Sequence, residues 1–505
     1  MSSIVVVKTS DGKTYQFVDN GSPMQGGMKD VYFSPDKSYV VAFFRDKQDF
    51  NSKERLNNIV KLYRERIFSQ AGGDYWKDLF CWPYDIVEHN GQVGIIVPVY
   101  QKHFFFQTGY NPNGNQIASI KGKEKEGKWF ASPQFRSKNF KLHLDKSELG
   151  DWFKYFLVCI NISRAVRRMH AAGLAHSDLS YKNVLIDPVS GRAAIIDIDG
   201  LVVPGKFPPD VIGTPDFIAP EVMATKHLPK DDKNRKLPSI LTDRHALAVM
   251  IYMYLLYRHP LRGGKIHDLD PQKDEELSMG ANALFIEHPT DISNRPKIMQ
   301  VKPTHLPWAD ISKIPYNVCG PYLTELFNRS FIHGLHNPQQ RPNADEWEQA
   351  LIKTVDLMQP CQNTNCEQKW YVFANTTKPC CPFCGTEYKG QLPVINFYYK
   401  TPRGTYSLEN RRLMVYSGQN IYQWHVNKNI FPNEKLTIEQ KRPVGDFHFI
   451  NNKWILINRT LSSMEDADNH TPIDIGRSVD IVDGKRILLS KEEGGRLAIV
   501  QLVNN

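Results

Sequence analysis

The sequence predicts an α+β chain of several domains, and three patterns predict it. Residues 1–100 offer strand-like runs around one amphipathic stretch at 51–69, and helical periodicity takes over at 151–172. Between 361 and 384 the cysteines fall in two close pairs, the mark of a small cross-braced knuckle fold. From Gln391 onward, turn signals recur about every ten residues between β-rich segments, which predicts a C-terminal β-sandwich. At 505 residues the chain is long enough for two to four domains with ample cores.

In chain order, residues 39–45 read as a strand. The stretch 51–69 sets Leu56, Ile59, Val60, Tyr63 and Ile67 on one side with charges opposite, as an amphipathic helix requires. Segments 82–87 and 91–98 read as two strands joined by a turn. Residues 102–146 are rich in Gly, Asn and Lys, carry more bases than acids, and interleave Trp129, Phe130, Phe135 and Phe140. They read as an insertion, either a solvated loop or a dock for an acidic partner. A helix at 151–172 leads to two short buried strands, 184–186 and 194–196, with 188–191 as the turn between them. The longest apolar run, 246–257, is too short to span a bilayer, and the N-terminus lacks the basic and long apolar parts of a signal peptide. The expectation is a cytoplasmic protein without a membrane partner. The net charge of +9 leaves nucleic-acid binding, through the cysteine knuckles and the basic insertion, as a lesser reading.

The chemistry is concentrated after the first long helix. His176-Ser177-Asp178-Leu179-Ser180-Tyr181-Lys182-Asn183 reads H-x-D-x-x-x-x-N, and Asp197-Ile198-Asp199 follows the hairpin. Gly213-Thr214-Pro215-Asp216-Phe217-Ile218-Ala219-Pro220-Glu221 then reads G-T-P-x-F-x-A-P-E. In this order and at these separations, the three pieces resemble the catalytic loop and activation segment of eukaryotic-type protein kinases, in the form bacteria carry. The resemblance implies a two-lobed protein-kinase fold over about residues 15–357, Ser/Thr specificity, and ATP and Mg2+ as cofactors. Phosphoryl transfer needs positioned phosphates, bound magnesium and an acceptor hydroxyl oriented for in-line attack. By the resemblance, Asp178 accepts the proton of the attacking hydroxyl, while Asn183 and Asp197 hold magnesium. Asp199-Gly200 is the alternative to Asp197. Ser177 stands where many kinases have Arg, which implies activity without activation-loop phosphorylation. Ser180 replaces the usual catalytic-loop Lys, and Lys182 is the candidate to reach the transferring phosphate instead.

Upstream, Gln25-Gly26-Gly27-Met28-Lys29-Asp30-Val31-Tyr32 resembles the glycine-rich loop of bacterial kinases, with Gly26 and Gly27 bringing backbone N–H groups close to phosphates. The strand at 39–45 has no Lys in register, and Phe44 sits where the phosphate-binding Lys belongs. In the with-no-lysine kinases the cation comes from the glycine-rich strand, a placement that Lys29 matches. Arg45 and Lys47 are lesser substitutes, and a solvated Lys29 would fit a pseudokinase. Glu65, with Glu54 as the alternative, is the helix carboxylate expected to pair with that cation.

Downstream, Thr242-Asp243-Arg244-His245 resembles the opening of the buried central helix of kinases, in which Asp243 braces the catalytic loop. Asn337-Pro338-Gln339-Gln340-Arg341-Pro342 resembles the closing signature, which implies an Arg341–Glu221 ion pair. Cys361 and Cys366, then Cys381 and Cys384, give two pairs able to hold a structural Zn2+, with Cys380 interchangeable with Cys381. Five of the eight cysteines fall in this stretch, which in a cytosolic chain favours a zinc ribbon over disulfides.

The expected organisation is a kinase N-lobe at 1–100, a C-lobe at 101–357, a zinc ribbon at 358–390 and a β-sandwich at 391–505. The sandwich's closing half is similar to forkhead-associated domains, although their phosphothreonine-binding signatures are not evident; Trp424-His425 sits near where they would fall. A degenerate interaction module and a phosphopeptide reader both stay open. The W-P…G-x-x-x-P pattern near 82–98 looks like a kinase subset found with bacterial tellurite-resistance stress genes. That likeness implies a von Willebrand A-type protein and a metal-dependent phosphatase as partners, besides a protein substrate. The functional expectation is a Ser/Thr protein kinase, with a nucleotide-binding pseudokinase scaffold as the alternative.

Overall fold

The computed structural model describes residues 3–25, 28–69, 72–108, 119–136, 144–203, 213–229, 231–374 and 377–504. They gather into two compact units. One comprises Met1–Gly150, Lys154–Pro315 and Leu326–Glu348; the other comprises Asp151–Phe153, Tyr316–Glu325 and Gln349–Asn505.

The first unit opens with a seven-stranded antiparallel sheet. Across it lie Thr14–Asp19, Ser3–Lys8, Asp85–His89, Gln92–Pro98, Tyr39–Phe44, Lys29–Phe33 and Met24–Gln25. Alternation along Tyr39–Phe44 divides its side chains between two cores. Val41 and Phe43 pack with Val7, Phe17, Val87 and Ile96, whereas Ala42 and Phe44 pack with Leu56, Val60, Val93 and Ile95. The amphipathic stretch is one helical run: Phe50–Asn57, a π-helical segment Asn58–Tyr63, then Arg64–Phe68. Asp49 caps its start by accepting the Ser52 N–H. All of the expected apolar residues, Leu56, Ile59, Val60, Tyr63 and Ile67, are buried. The wider turn brings the Arg64 N–H onto the Ile59 carbonyl, and the Trp82 indole N–H donates to that same oxygen at 2.9 Å. Trp82 thus anchors the helix rather than starting a strand; the strand begins at Asp85.

The remainder of this unit is mainly helical, built around Trp152–Ala171 and Ile240–Leu256. Ser239 and Thr242 close a reciprocal cap on the latter, which is buried along nearly its whole length and so reads as a core helix rather than an amphipathic one. The hairpin pairs Val184–Asp187 with Arg192–Ile195, in the register Val184 to Ile195.

The described parts of the insertion are packed, not solvated. Phe104, Phe106 and Phe130 are buried, and the Ile186 N–H donates to the Lys125 carbonyl at 2.9 Å, along the outer edge of the hairpin. Lys125 itself is buried, its ammonium 2.8 Å from Glu148 and 3.0 Å from Asp187. Glu148 also accepts the Gln107 and Thr108 N–H groups at 2.7 and 2.9 Å. The expected aromatic at Phe140 lies outside the described residues.

In the second unit, the cysteine knuckles and the β-rich region share a core. Cys366, Tyr371 and Cys381 cluster with Leu392, Val394, Met414 and Val503. A six-stranded and a four-stranded sheet make the sandwich. Ile395, Phe397 and Val500 of the first meet Phe447, Trp454 and Leu456 of the second. Each β-rich segment expected from the sequence contributes a strand: Gln391–Lys400, Tyr406–Met414, Lys453–Asn458, Arg486–Leu488 and Arg496–Asn504. His425 is buried in this unit, its ring nitrogen 3.1 Å from Asp356, which also accepts Arg411 at 2.7 Å. It therefore belongs to an internal polar network and not to an exposed ligand loop. Among the described residues, no helix is long and apolar enough to cross a membrane.

Candidate active site

The candidate cleft is assembled by short backbone ties. The Ile196 N–H donates to the Asn183 carbonyl at 3.0 Å, so the hairpin's closing bonds place Asn183 beside the start of Asp197-Ile198-Asp199. Asn183 in turn gives its amide to Asp178, at 2.8 Å to the carbonyl and 3.0 Å to the carboxylate. The other Asp178 oxygen accepts the Thr214 N–H at 2.6 Å. Asp178, Asn183 and Asp197 therefore meet at one mouth. Asp197 adopts φ +60°, in the left-handed region that costs a β-substituted residue energy and that clusters at functional sites.

Lys29 reaches into this mouth from the sheet. Its Cα lies opposite Phe44 in the strand register, and its ammonium sits 5.1 Å from the centre of the Phe44 ring. From there it bonds Asp199 at 2.6 Å and Asp197 at 3.1 Å. Burial disfavours charge on Lys29, but Asp199 and then Asp197 outweigh it and hold the ammonium above its ordinary value. For Asp197, burial pulls upward and is outweighed by Lys29 and then His176, which leaves its carboxyl below the usual range.

The loop carrying Asp178 is held from beneath. Asp243, almost fully buried, accepts the His176 N–H at 2.7 Å and lies 3.1 Å from the His170 ring. The His176 ring sits 3.0 Å from the Ile196 carbonyl. Arg341 is enclosed and makes a bidentate pair with Glu221, at 2.8 and 2.7 Å. Its remaining N–H groups go to the Gly334, Leu335 and Leu241 carbonyls, so the charge is fully bonded.

Residues 139–350 match the family described as "Protein kinase domain". Over that stretch the chain is similar to protein kinase domains. Similar curated proteins include the serine/threonine-protein kinase RAD53 of Saccharomyces cerevisiae, 26% identical over 216 residues, which is 39% of this chain and 26% of that protein. Another is the death-associated protein kinase dapk-1 of Caenorhabditis elegans, 32% identical over 124 residues, 24% of this chain and 8% of that protein. A third is a dual serine/threonine and tyrosine protein kinase of Apis mellifera, 29% identical over 73 residues, 14% of this chain and 7% of that protein. The chain spans about a quarter or less of the length of these curated relatives. Among solved structures, a rhoptry antigen kinase domain of Toxoplasma gondii aligns with TM-score 0.39 at 13% identity, over 70% of this chain and 86% of that one. ROP2 of the same organism, described as having a protein-kinase fold and no enzymatic activity, aligns with TM-score 0.37 at 15% identity, over 70% and 86%.

Asp178, Asn183 and Asp197, inside the matched stretch, converge with Lys29, which precedes it. Asp199 joins them as the nearer partner of Lys29, so the two carboxylates weighed as alternatives act together. Gly26 and Gly27 lie outside the described residues. Lys182 is exposed. Glu65 is a correction. It is exposed and makes no ion pair with Lys29, whose carboxylate partners are Asp197 and Asp199. The reason is geometric: Tyr63 and Ile67 take the buried face, and a residue midway between them points to the opposite side. Thr214 was missed as a site residue. Its backbone N–H orients Asp178, and its buried hydroxyl lies 3.3 Å from Ser180, the residue standing in the usual lysine position.

In the second unit, Cys361, Cys366, Cys381 and Cys384 bring their sulfurs within 4.8 Å of one another. Cys361–Cys384 and Cys366–Cys381 are 3.5 and 3.9 Å apart. A tetrahedron of thiolates at the usual zinc–sulfur distance has edges of about 3.8 Å, so the donor set fits the metal. Cys380 is outside this group; its thiol lies 3.9 Å from the Cys381 carbonyl.

Proposed function

We propose that this chain is an active protein serine/threonine kinase that transfers the γ-phosphoryl of Mg-ATP to a protein hydroxyl, with Lys29 supplying the phosphate-binding cation. The observation that carries this reading is the Lys29 ammonium, delivered over Phe44 to Asp197 and Asp199 where the usual strand lysine is missing. When bound, Mg2+ would neutralise charge on the ATP phosphates and fix their orientation. Asn183 and Asp197 would hold it: the Asn183 amide nitrogen is committed to Asp178, which leaves its Oδ1 for a cation. Asp178, held by the Thr214 N–H and by Asn183, is positioned to take the proton of the acceptor hydroxyl. Lys182 is assigned to the transferring phosphate on the resemblance alone.

The test is incubation of the full chain with labelled ATP, magnesium and a generic protein substrate, beside an Asp178→Asn variant. Transfer that the substitution abolishes is the expected result. ATP binding with no transfer would instead make the protein a nucleotide-binding scaffold. That second reading draws on the full engagement of both Asp178 oxygens by protein donors.

Finer assignments belong to the same proposal. The four-cysteine cluster binds structural Zn2+, supported by its sulfur spacing. The β-sandwich is an interaction module of forkhead-associated type. The kinase works in the cytoplasm of a bacterium as part of a tellurite-resistance-type stress system, alongside a von Willebrand A-type protein and a metal-dependent phosphatase. These last points rest on the resemblance of the sequence motifs.

A further inference from the structure

A cavity of about 670 Å3 lies beside the loop that carries Asp178, and of its lining the chemistry described so far uses only Lys182. Tyr181 and Lys182, three and four residues after Asp178, form one wall. The packed insertion supplies a second wall through Lys128, Trp129 and Phe135, and the chain from Arg258 to Ala309 supplies the rest. Its ionised lining is lopsided. Lys128, Lys182, Arg258, Arg262, Lys297 and Lys302 face it against a single carboxylate, Asp216.

Half of those cations are already neutralised. Arg258 is bonded to Glu287 at 2.5 Å, Arg262 to Asp216 and Glu275, and Lys128 to Glu126 at 2.7 Å. Lys182, Lys297 and Lys302 have no acidic partner among the described residues. The His305 ring, on the same wall, has a buried Nε2 with no hydrogen-bond partner among the described residues.

This wall is built, not draped. Gly263 and Gly264 lie so close to the opposing backbone that an added Cβ would meet the Asn294 and Arg295 carbonyls at 1.7 and 2.6 Å. The Gly264 N–H bonds the Asn294 carbonyl at 3.2 Å, and the buried Asn294 side chain ties down Leu261 and Leu284 at 3.0 and 2.6 Å. That clamp fixes the segment from which Lys297 projects. The cavity is also coupled to the acceptor site. Tyr181 donates to Asp216 at 3.1 Å, two residues beyond the Thr214 N–H that holds Asp178.

We propose that this cavity is a substrate subsite that selects polypeptides carrying an anionic side chain, phosphorylated or carboxylate, near the acceptor hydroxyl. Three unpaired ammonium groups around a part-apolar pocket attract an anion, and Trp129, Phe135 and Met253 accommodate the peptide that bears it. A phosphoryl group and a carboxylate share this chemistry, and the measurement separates them. The inference rests on the kinase reading for its placement, yet binding tests it without turnover.

The experiment measures fluorescence anisotropy of the full chain with serine-containing peptides that differ in one flanking feature: phosphoserine, a run of Glu, a run of Gln, or a run of Lys. The anionic peptides are expected to bind at least about tenfold tighter than the Gln peptide, as charge-assisted contacts imply. The double variant Lys297→Glu/Lys302→Glu should erase that preference, and Lys297→Ala/Lys302→Ala should reduce it with an unchanged melting curve. Phosphoserine above Glu assigns the pocket to phosphoryl groups; equality assigns it to acids in general. Equal binding of anionic and neutral peptides, or a preference that survives in the double variant, overturns the proposal. Labelled-ATP transfer read on the same peptides separates the two readings. Transfer without acidic preference sinks the subsite alone, whereas acidic preference without transfer sinks the kinase activity alone.

Discussion

Lys29 and Phe44 face each other across two strands, and that pairing makes the cation's address testable. Lys29→Ala should lower kcat/KM by about a hundredfold or more, the scale on which removing one preorganised charge contact acts. Adding Phe44→Lys to that variant should restore part of the loss, because the new ammonium starts from the facing position; steady-state kinetics with a peptide substrate measures both. No recovery in a correctly folded double variant would show that the cation must approach from the glycine-rich side. Thr214 carries a second expectation. Its hydroxyl is buried against Ser180, where a phosphoryl group has no room, so protein stripped of phosphate should retain full activity. Mass spectrometry paired with a rate assay checks it.

The element scale shows what could be read in advance and what could not. Helical spacing identified the buried face of the run from Phe50 to Phe68, and the resemblance to kinase motifs implied the Asp243 brace and the Arg341–Glu221 pair. The π-helical turn at Asn58–Tyr63 left no such trace. Its cause is tertiary, an indole from Trp82 seated on the Ile59 carbonyl. The Lys125–Glu148–Asp187 cluster was equally hidden, since its members are far apart in sequence and follow no period. For the same reason Glu65 was misplaced: a register carried over by analogy overlooked which face the apolar residues had taken.

The Asp356–Arg411–His425 network gives the second unit a pH profile. Burial favours a neutral Asp356, but Arg411 and then His425 outweigh it and keep the carboxylate ionised. Burial also lowers the His425 pKa despite Asp356, so the ring is neutral when folded and gains a proton more easily when unfolded. Both shifts run the same way. Stability from His425 should begin to fall below about pH 6.5, and that from Asp356 should follow at still lower pH. Asp356→Ala should cost about 3–5 kcal/mol, the range for breaking a buried ion pair. Urea melts of the wild type at pH 7.5, 5.5 and about 3.5, with Asp356→Ala at pH 7.5, measure these effects, and a flat profile would contradict the assignment.

On the scale of the whole molecule, the cysteine cluster and the sandwich share buried residues, so metal loss should not stay local. Stripping zinc with a strong chelator should release one ion per chain and melt the ribbon and sandwich in a single transition, followed by differential scanning calorimetry. Cys381→Ser should reproduce that melt without chelator. A sandwich that persists unchanged after complete zinc removal would show that its core stands without the knuckles.

The Lys29 bridge also bears on how the proposed nucleotide and magnesium would enter the cleft. An ammonium already engaged by Asp197 and Asp199 competes with any divalent ion for Asp197. Phosphates that draw Lys29 away free that carboxylate, so nucleotide and magnesium should each tighten the other's grip by the same factor, as reciprocal linkage demands. Loading the cleft would then be a cooperative exchange of counter-charges.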